Sequence, residues 1–354
     1  MTQRQSVIRK ISLIPLSFIF AAVIQNTAAL TPATQPLSPM NLAAVRSFMY
    51  QIDKLDEPGA IKRLANTSYD LLVVEPTATI RDNERFDMAG MVGMVATLHA
   101  GKPGRIVLAY VDAGQAERFR GYWRKEWKPP GKDHKGEPDF ILTSDPDGWH
   151  DDFPVAYWDK RWQEIFATGP RSEVRQVMKA GFDGLYLDWI DGYTDEAVAA
   201  EAKRQKVNAA TAMVDWIGTI RNAAREVNPH ALIIAQNAAY LIDAEPHYVE
   251  VIDGIGFEDT WFSGKANTPW GRPKGGDIPN RDKDESSTAR RIEQYKKYLK
   301  ANKPVFTIDY CLKPENAKKV YATSRGAGFV PLVTQVSLSR ITETPPSFVN
   351  EPRN

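Results

Sequence analysis

Acidic residues recur at one kind of place in this 354-residue chain: the C-terminal end of a short apolar run. Glu75, Asp112, Asp188, Glu258 with Asp259, and Asp309 with Tyr310 all stand there, and Asn237 ends another run. One such acid would mean little. Five acidic ends brought together would repel and lose solvation, so a purely structural role accounts for them poorly. Paired carboxylates in a cleft do general acid, general base or nucleophilic work, with one pKa raised by its neighbour. Two segments share a plan, Gly181-Phe182-Asp183-Gly184-Leu185-Tyr186-Leu187-Asp188-Trp189 and Ile252-Asp253-Gly254-Ile255-Gly256-Phe257-Glu258-Asp259. Each has an early Asp-Gly, an apolar run and a carboxylate at the tip. Asp188 and Glu258 are therefore the candidate catalytic pair, and Asp183 and Asp253 read as turn or capping residues at the opposite end. Sugar rings present apolar C–H faces to aromatic side chains. Tyr50, Tyr110, Tyr157, Trp158, Trp189, Tyr193, Trp261 and Tyr310 are candidates for that contact, and part of this set is expected to be ordinary packing.

The elements that must position these residues can be read from the same runs. Ser47–Ile52, Tyr69–Glu75, Arg105–Asp112, Gly184–Asp188, Ala231–Asn237, Ile252–Glu258, Pro304–Tyr310 and Gly328–Thr334 are mostly continuous apolar stretches. Parallel strands buried on both faces have that pattern. Helical periodicity lies between several of them. The stretch Ala199–Val227 carries an apolar stripe and is stopped by Pro229, Ser287–Ala301 has a serine to cap it, and Pro314–Ser324 ends at Gly326. Eight strands alternating with helices predict an α/β fold, a (β/α)8 TIM barrel, whose chemistry sits at the C-terminal strand ends. The segment Ala113–Val155 is a long Trp-, Pro- and Gly-rich insertion after the third run. Long insertions in compact domains are usually functional, and this one should lie over the cleft.

Composition removes other classes. With 45 Lys+Arg against 44 Asp+Glu and a net charge of +1, the chain lacks the basic excess of a nucleic-acid binder or a polybasic membrane-surface protein. A single cysteine, Cys311, forbids an internal disulfide and a cysteine-built zinc site. The five histidines show no ligand spacing and no EF-hand pattern occurs, so neither a metal nor another cofactor is expected. There is no G-x-S-x-G elbow, no P-loop and no dinucleotide fingerprint. Residues 1–29 read as a signal peptide, from Arg4, Arg9 and Lys10, the apolar run Ile11–Ile24 and the small residues Thr27-Ala28-Ala29. A retained N-terminal anchor is the alternative, although the run is short for a span. Residues 30–41 form a flexible lead, 42–343 the barrel and 344–354 a tail, in a secreted, periplasmic or cell-envelope protein.

Four segments together resemble glycoside-hydrolase family 114, a TIM-barrel group that includes endo-α-1,4-polygalactosaminidases. They are Phe48-Met49-Tyr50-Gln51-Ile52, the stretch from Val107 to Glu117, Gly181–Trp189, and Gly256-Phe257-Glu258-Asp259-Thr260-Trp261-Phe262. The resemblance spans roughly residues 45 to 340. It implies that Asp188 and Glu258 are the catalytic carboxylates and that the substrate is an α-1,4-linked galactosamine polymer. A de-acetylated polymer is cationic and would be drawn to an acid-rich cleft. Tyr50, Glu75, Tyr110, Asp112, Trp158, Asp191, Asn237, Trp261, Asp309 and Tyr310 are expected to line the substrate site. Asp188 is expected to be the ionised partner. Glu258 is expected to be the acid, with Phe257, Trp261 and Phe262 as its apolar surrounding. No protein partner is predicted. Two readings stay open, a carbohydrate-binding barrel without turnover and a hydrolase of another envelope polysaccharide.

Overall fold

Eight apolar runs become eight parallel strands because both of their faces are covered, by helices outside and by one another's side chains within. The computed structural model describes residues 40–77 and 87–342, so the expected signal peptide, most of the lead and the expected tail lie outside the described residues. The strands are β1 (Phe48–Gln51), β2 (Leu71–Val74), β3 (Ile106–Asp112), β4 (Gly184–Asp188), β5 (Leu232–Gln236), β6 (Gly254–Glu258), β7 (Val305–Tyr310) and β8 (Val330–Thr334). Each pairs in parallel with the next in sequence order. The ring is nearly closed past β8, where the Ile52 and Asp53 N–H groups both donate to the Leu338 carbonyl, at 3.1 and 3.3 Å.

Register and pleat decide which side chains reach the barrel axis. Tyr110 pairs with Tyr186 and Asp112 with Asp188, so these four share the inward face of β3 and β4. Glu258 and Gly256 alternate with Phe257, which points outward. Its ring stacks on Tyr295 at 3.7 Å and 5°, on the helix Thr288–Lys300. Phe257 therefore does not surround Glu258, and that part of the expected acid environment is corrected. Gly256 is required by close approach, because a Cβ there would lie 2.0 Å from the Tyr186 hydroxyl.

The outer layer follows its capping signals. Asp87 and Ser287 accept N–H bonds at the starts of the helices Met88–Ala100 and Thr288–Lys300. The expected single helix over 199–227 is two, Glu196–Arg204 and Ala209–Val227. Lys206 takes a left-handed φ of 58°, and the Asn208 side chain then accepts the Thr211 N–H to start the second helix. The Pro314 helix runs through Gly326, and the left-handed residue that ends it is Gly328, with φ 86°. At the lower ends of the strands Asp183 and Asp253 cap as expected. Asp183 accepts the Val107 N–H at 2.7 Å and Asp253 the Ile233 N–H at 2.9 Å.

The insertion is better ordered than its composition suggests. Gln115–Glu117 and Asp152–Pro154 form an antiparallel pair, and a bridge joins Ile141 to Val155. Trp127, Phe140, Trp162, Phe166 and Trp216 then form a chain of ring contacts at 5.4–5.8 Å that runs to the helix Ala209–Val227. Among the described residues no helix is long and apolar enough to cross a membrane.

Candidate active site

Asp188 and Glu258 converge at the C-terminal mouth of the barrel, and one side chain joins them. Gln236, the last residue of β5, stands between β4 and β6 with its amide on the inward face. Its Nε2 donates to Asp188 Oδ1 at 2.8 Å and to Glu258 Oε2 at 2.7 Å. Those two oxygens therefore lie no farther apart than the two bonds combined, about 5.5 Å. Further donors hold each group. Asp188 Oδ2 accepts the Tyr110 hydroxyl at 2.8 Å, and its Oδ1 the Trp189 N–H at 2.7 Å. Glu258 Oε2 accepts Asn237 Nδ2 at 3.0 Å, while its Oε1 accepts the Tyr310 hydroxyl. The Asn237 Oδ1 in turn accepts the Glu258 N–H at 3.0 Å, so the amide is locked on both sides.

Burial and like charge push both carboxyls up. Asp188 rises to about 7, from burial first and the charge of Glu258 second. Glu258 also rises, chiefly from burial, with the charges of Asp191 and Asp147 adding to it. The donors around each act in the opposite sense, by favouring the ionised form. Such a pair titrates as a unit, the charge on one carboxyl opposing ionisation of the other. Asp191, raised to about 7 by burial and by Asp188, extends the acidic wall. Asp259, raised to about 8 by burial and by Glu258, extends it on the other side.

The remaining expected site residues fall into two groups. Tyr50, Tyr110 and Tyr310 are buried beneath the carboxylates, so they offer hydroxyl groups there and no ring face to a sugar. Trp261 is partly buried in the loop after β6, and Trp158 is tied by its indole N–H to Gln205 at 3.0 Å. Three of the expected acids hold the frame. Asp112 is buried and accepts the Gly114 and Gln115 N–H groups at 3.1 and 2.9 Å. Asp309, on the face of β7 opposite to Tyr310, accepts the Trp261 and Phe262 N–H groups at 2.6 and 2.8 Å and fixes that loop. Glu75 binds Arg120 of the insertion through both guanidinium nitrogens, at 2.5 and 2.9 Å.

Two features of this frame were not read from the sequence. Arg120 is 1% exposed and also binds Glu117 at 2.7 Å, with Glu173 at 3.7 Å, so three carboxylates meet one guanidinium. Both Glu173 oxygens lack a hydrogen-bond donor among the described residues, and burial pushes that carboxyl to about 8. The second feature is Trp189, which takes a left-handed φ of 59° directly after Asp188. Its ring fills the space at Gly114 and Gly192, where a Cβ would meet it at 2.7 and 2.1 Å. Gln236 was missed for a simpler reason. The apolar run was carried one residue too far, to Asn237, which in fact leaves the strand with φ 66°.

An eight-stranded parallel barrel with paired, hydrogen-bonded carboxylates at its C-terminal mouth has the form of a glycoside hydrolase. The sequence comparisons name the group. The profile of glycoside-hydrolase family GH114 matches residues 28–348, and the chain belongs to that family. The protein is thus a glycoside hydrolase, and membership implies a polysaccharide substrate. An uncharacterized protein of Deinococcus radiodurans is 32% identical over 314 residues, covering 88% of each chain. Among solved structures, Aspergillus fumigatus Ega3 in complex with galactosamine superposes with a TM-score of 0.55 at 15% identity, covering 89% of this chain and 99% of that one. The glycoside hydrolase domain of PelA from Pseudomonas aeruginosa gives 0.55 at 14% identity, over 84% of this chain and 97% of that one. At these identities the likeness is one of fold.

Proposed function

We propose that this protein hydrolyses glycosidic bonds within an amino-sugar polysaccharide, an α-1,4-linked galactosamine polymer, with Asp188 as nucleophile and Glu258 as general acid and base. The observation that carries the assignment is the Gln236 amide between the two carboxylates. It keeps one oxygen of each within about 5.5 Å, a spacing that suits a retaining pair.

In that scheme the Asp188 carboxylate attacks the anomeric carbon while Glu258 gives its proton to the leaving glycosidic oxygen. Water then displaces Asp188, and the Glu258 carboxylate takes the water's proton. The division of labour follows from the surroundings. Asp188 accepts a fixed backbone N–H from Trp189 as well as Tyr110 and Gln236, a set that supports an ionised nucleophile. Glu258 faces the charges of Asp191 and Asp147, which favour a proton on it. A cationic polymer fits the wall of carboxylates formed by Asp147, Asp191 and Asp259. Galactosamine bound to Ega3, a protein of the same fold, supports that choice of sugar. The basic start, apolar run and small residues of 1–29 support export to the outside of the cell, where such a polymer would be met.

The test is incubation with partly de-N-acetylated α-1,4-galactosamine polymer, its fully acetylated form and neutral glycans. Released oligosaccharides are measured by mass spectrometry, and the first-formed anomer by proton NMR. Release of α-anomeric oligomers from the cationic polymer is expected. Cleavage of neutral glycans alone would refute the substrate, and a β product would refute the nucleophile.

A further inference from the structure

The tip of the insertion, residues 145–150, is held at two points. At its base Gln115 Nε2 donates to Asp145 Oδ2 at 2.7 Å, and Asp145 Oδ1 accepts the Trp149 N–H at 2.9 Å, closing the turn on itself. At its outer edge Asn267 Nδ2, from the segment after β6, donates to the Gly148 carbonyl at 3.4 Å. The insertion leaves β3, and β4 and β5 stand between β3 and β6 in the ring. The turn therefore spans the loops of two strands that are not neighbours, on the side of the mouth where Asp188 and Gln236 end their strands. Asp147 lies between the two anchors and is exposed. The Asn267 bond to Gly148, the next residue, sets Asp147 beside the loop that follows β6, and its charge acts on Asp191, Glu258 and Asp259.

A second observation comes from the floor of the cleft. Gln236 Oε1 and the Tyr186 hydroxyl, on residues 2% and 1% exposed, have no hydrogen-bond partner among the described residues. Both residues lie on the inward face, Gln236 bonded to the two carboxylates and Tyr186 two residues below Asp188 on the same strand face. Buried polar atoms without partners are rare in native proteins. An acceptor left open among carboxylates suits a ligand that brings hydrogen-bond donors and positive charge.

We propose that Asp147 is a specificity-determining residue, carried over the mouth by the strap to bind the ammonium group of a sugar beside the scissile bond. This rests on the reading above that the substrate is an amino-sugar chain. A free amine gives Asp147 a charged donor. An N-acetyl group at the same place offers a neutral amide and turns a bulky acyl group toward the strap. The insertion thereby discriminates between de-acetylated and acetylated stretches of one polymer.

Asp147→Asn keeps the shape of an exposed turn and removes the charge. On de-N-acetylated α-1,4-galactosamine oligomers its kcat/KM should fall about tenfold, the size of one lost hydrogen bond to a charged group. The loss should sit in KM, with kcat within about twofold of wild type, and should shrink as salt is raised. On fully acetylated oligomers the loss should be several-fold smaller than on the cationic ones, and Asp147→Glu should restore part of the lost affinity. Wild-type KM in Asp147→Asn on the cationic oligomers would overturn the inference, as would an equal loss on both substrates. In those cases the functional reading survives, because wild type still cleaves the polymer. Failure of wild type to cleave any amino-sugar polymer would remove both.

Discussion

Replacing Gln236 by leucine removes the amide that holds both carboxylates while keeping a side chain of similar size. Two hydrogen bonds disappear, at 2.8 and 2.7 Å. A bond to a charged group contributes about 1.5–3 kcal/mol. In the reacting form, with Asp188 ionised and Glu258 protonated, only one of the two bonds meets a full charge, so about 2 kcal/mol is the working figure. That loss falls on the ionised form. One pKa unit corresponds to about 1.4 kcal/mol, so the acid limb of the pH–activity profile should move upward by about 1 to 1.5 units. The sign is fixed by the chemistry, because removing donors from a carboxylate makes it harder to ionise and keeps the nucleophile protonated to higher pH. At pH 6 kcat should fall by roughly a hundredfold, from this protonation and from looser spacing of the carboxyls. At pH 8 part of the activity should return. The assay is initial-rate oligosaccharide release from pH 5 to 9, with thermal unfolding confirming a folded variant. An unshifted profile with kcat within threefold of wild type would show that the Gln236 bridge is incidental to the reaction.

Three further outcomes follow from the same geometry. Asp188→Asn and Glu258→Gln should both fold, since each amide keeps the size of the acid, and each should lose at least about a hundredfold in kcat, the scale of general acid–base help; near-wild-type turnover by either would return its role to Asp259 or Asp191. Glu173 carries a folded-state pKa of about 8, so its contribution to stability is full below about pH 4 and is lost as pH rises through 8. Glu173→Gln should accordingly raise Tm at pH 8 by about 2 °C or more and change it little at pH 4, measured by differential scanning fluorimetry; an equal shift at both values would refute a titrating Glu173. Gly256→Ala should destabilise by about 1–3 kcal/mol, because its Cβ would press on the Tyr186 hydroxyl at 2.0 Å, and Tyr186→Phe in the same chain should recover part of that loss in a urea titration.

The barrel was legible because parallel strands buried on both faces leave an unmistakable mark, eight apolar runs with acids and amides at their ends. Seven of the eight runs overshot their strands by one to three residues. The error at Asn237 mattered most, since it hid Gln236 behind a more conspicuous neighbour. Helix breaks were less visible. Nothing in the apolar stripe of 199–227 marks Lys206, whose left-handed backbone is imposed by the turn between two helices. The insertion was recognised as a unit, but its order depends on ring contacts with Trp162, Phe166 and Trp216, which lie outside it in sequence.

The acids at the strand ends were visible as a group, and sequence singled out Asp188 and Glu258 but could not tell that Glu75, Asp112 and Asp309 tie the frame instead of lining the cleft. Sorting depends on which face of the pleat each occupies and which donors meet it. Asp309 and Tyr310 are adjacent in sequence, yet the pleat sends the tyrosine to Glu258 and the aspartate to the backbone of the loop after β6. Glu75 is at a strand end like Asp188, yet it meets a guanidinium from a chain segment 45 residues away. Acids that meet Arg120 or loop N–H groups are tied into the frame. Asp188 and Glu258 meet tyrosine hydroxyls and side-chain amides, with one backbone N–H on Asp188, donors that can position a carboxylate without neutralising it. That difference in partner, rather than the count of acids, is what leaves this pair available to take up and release protons.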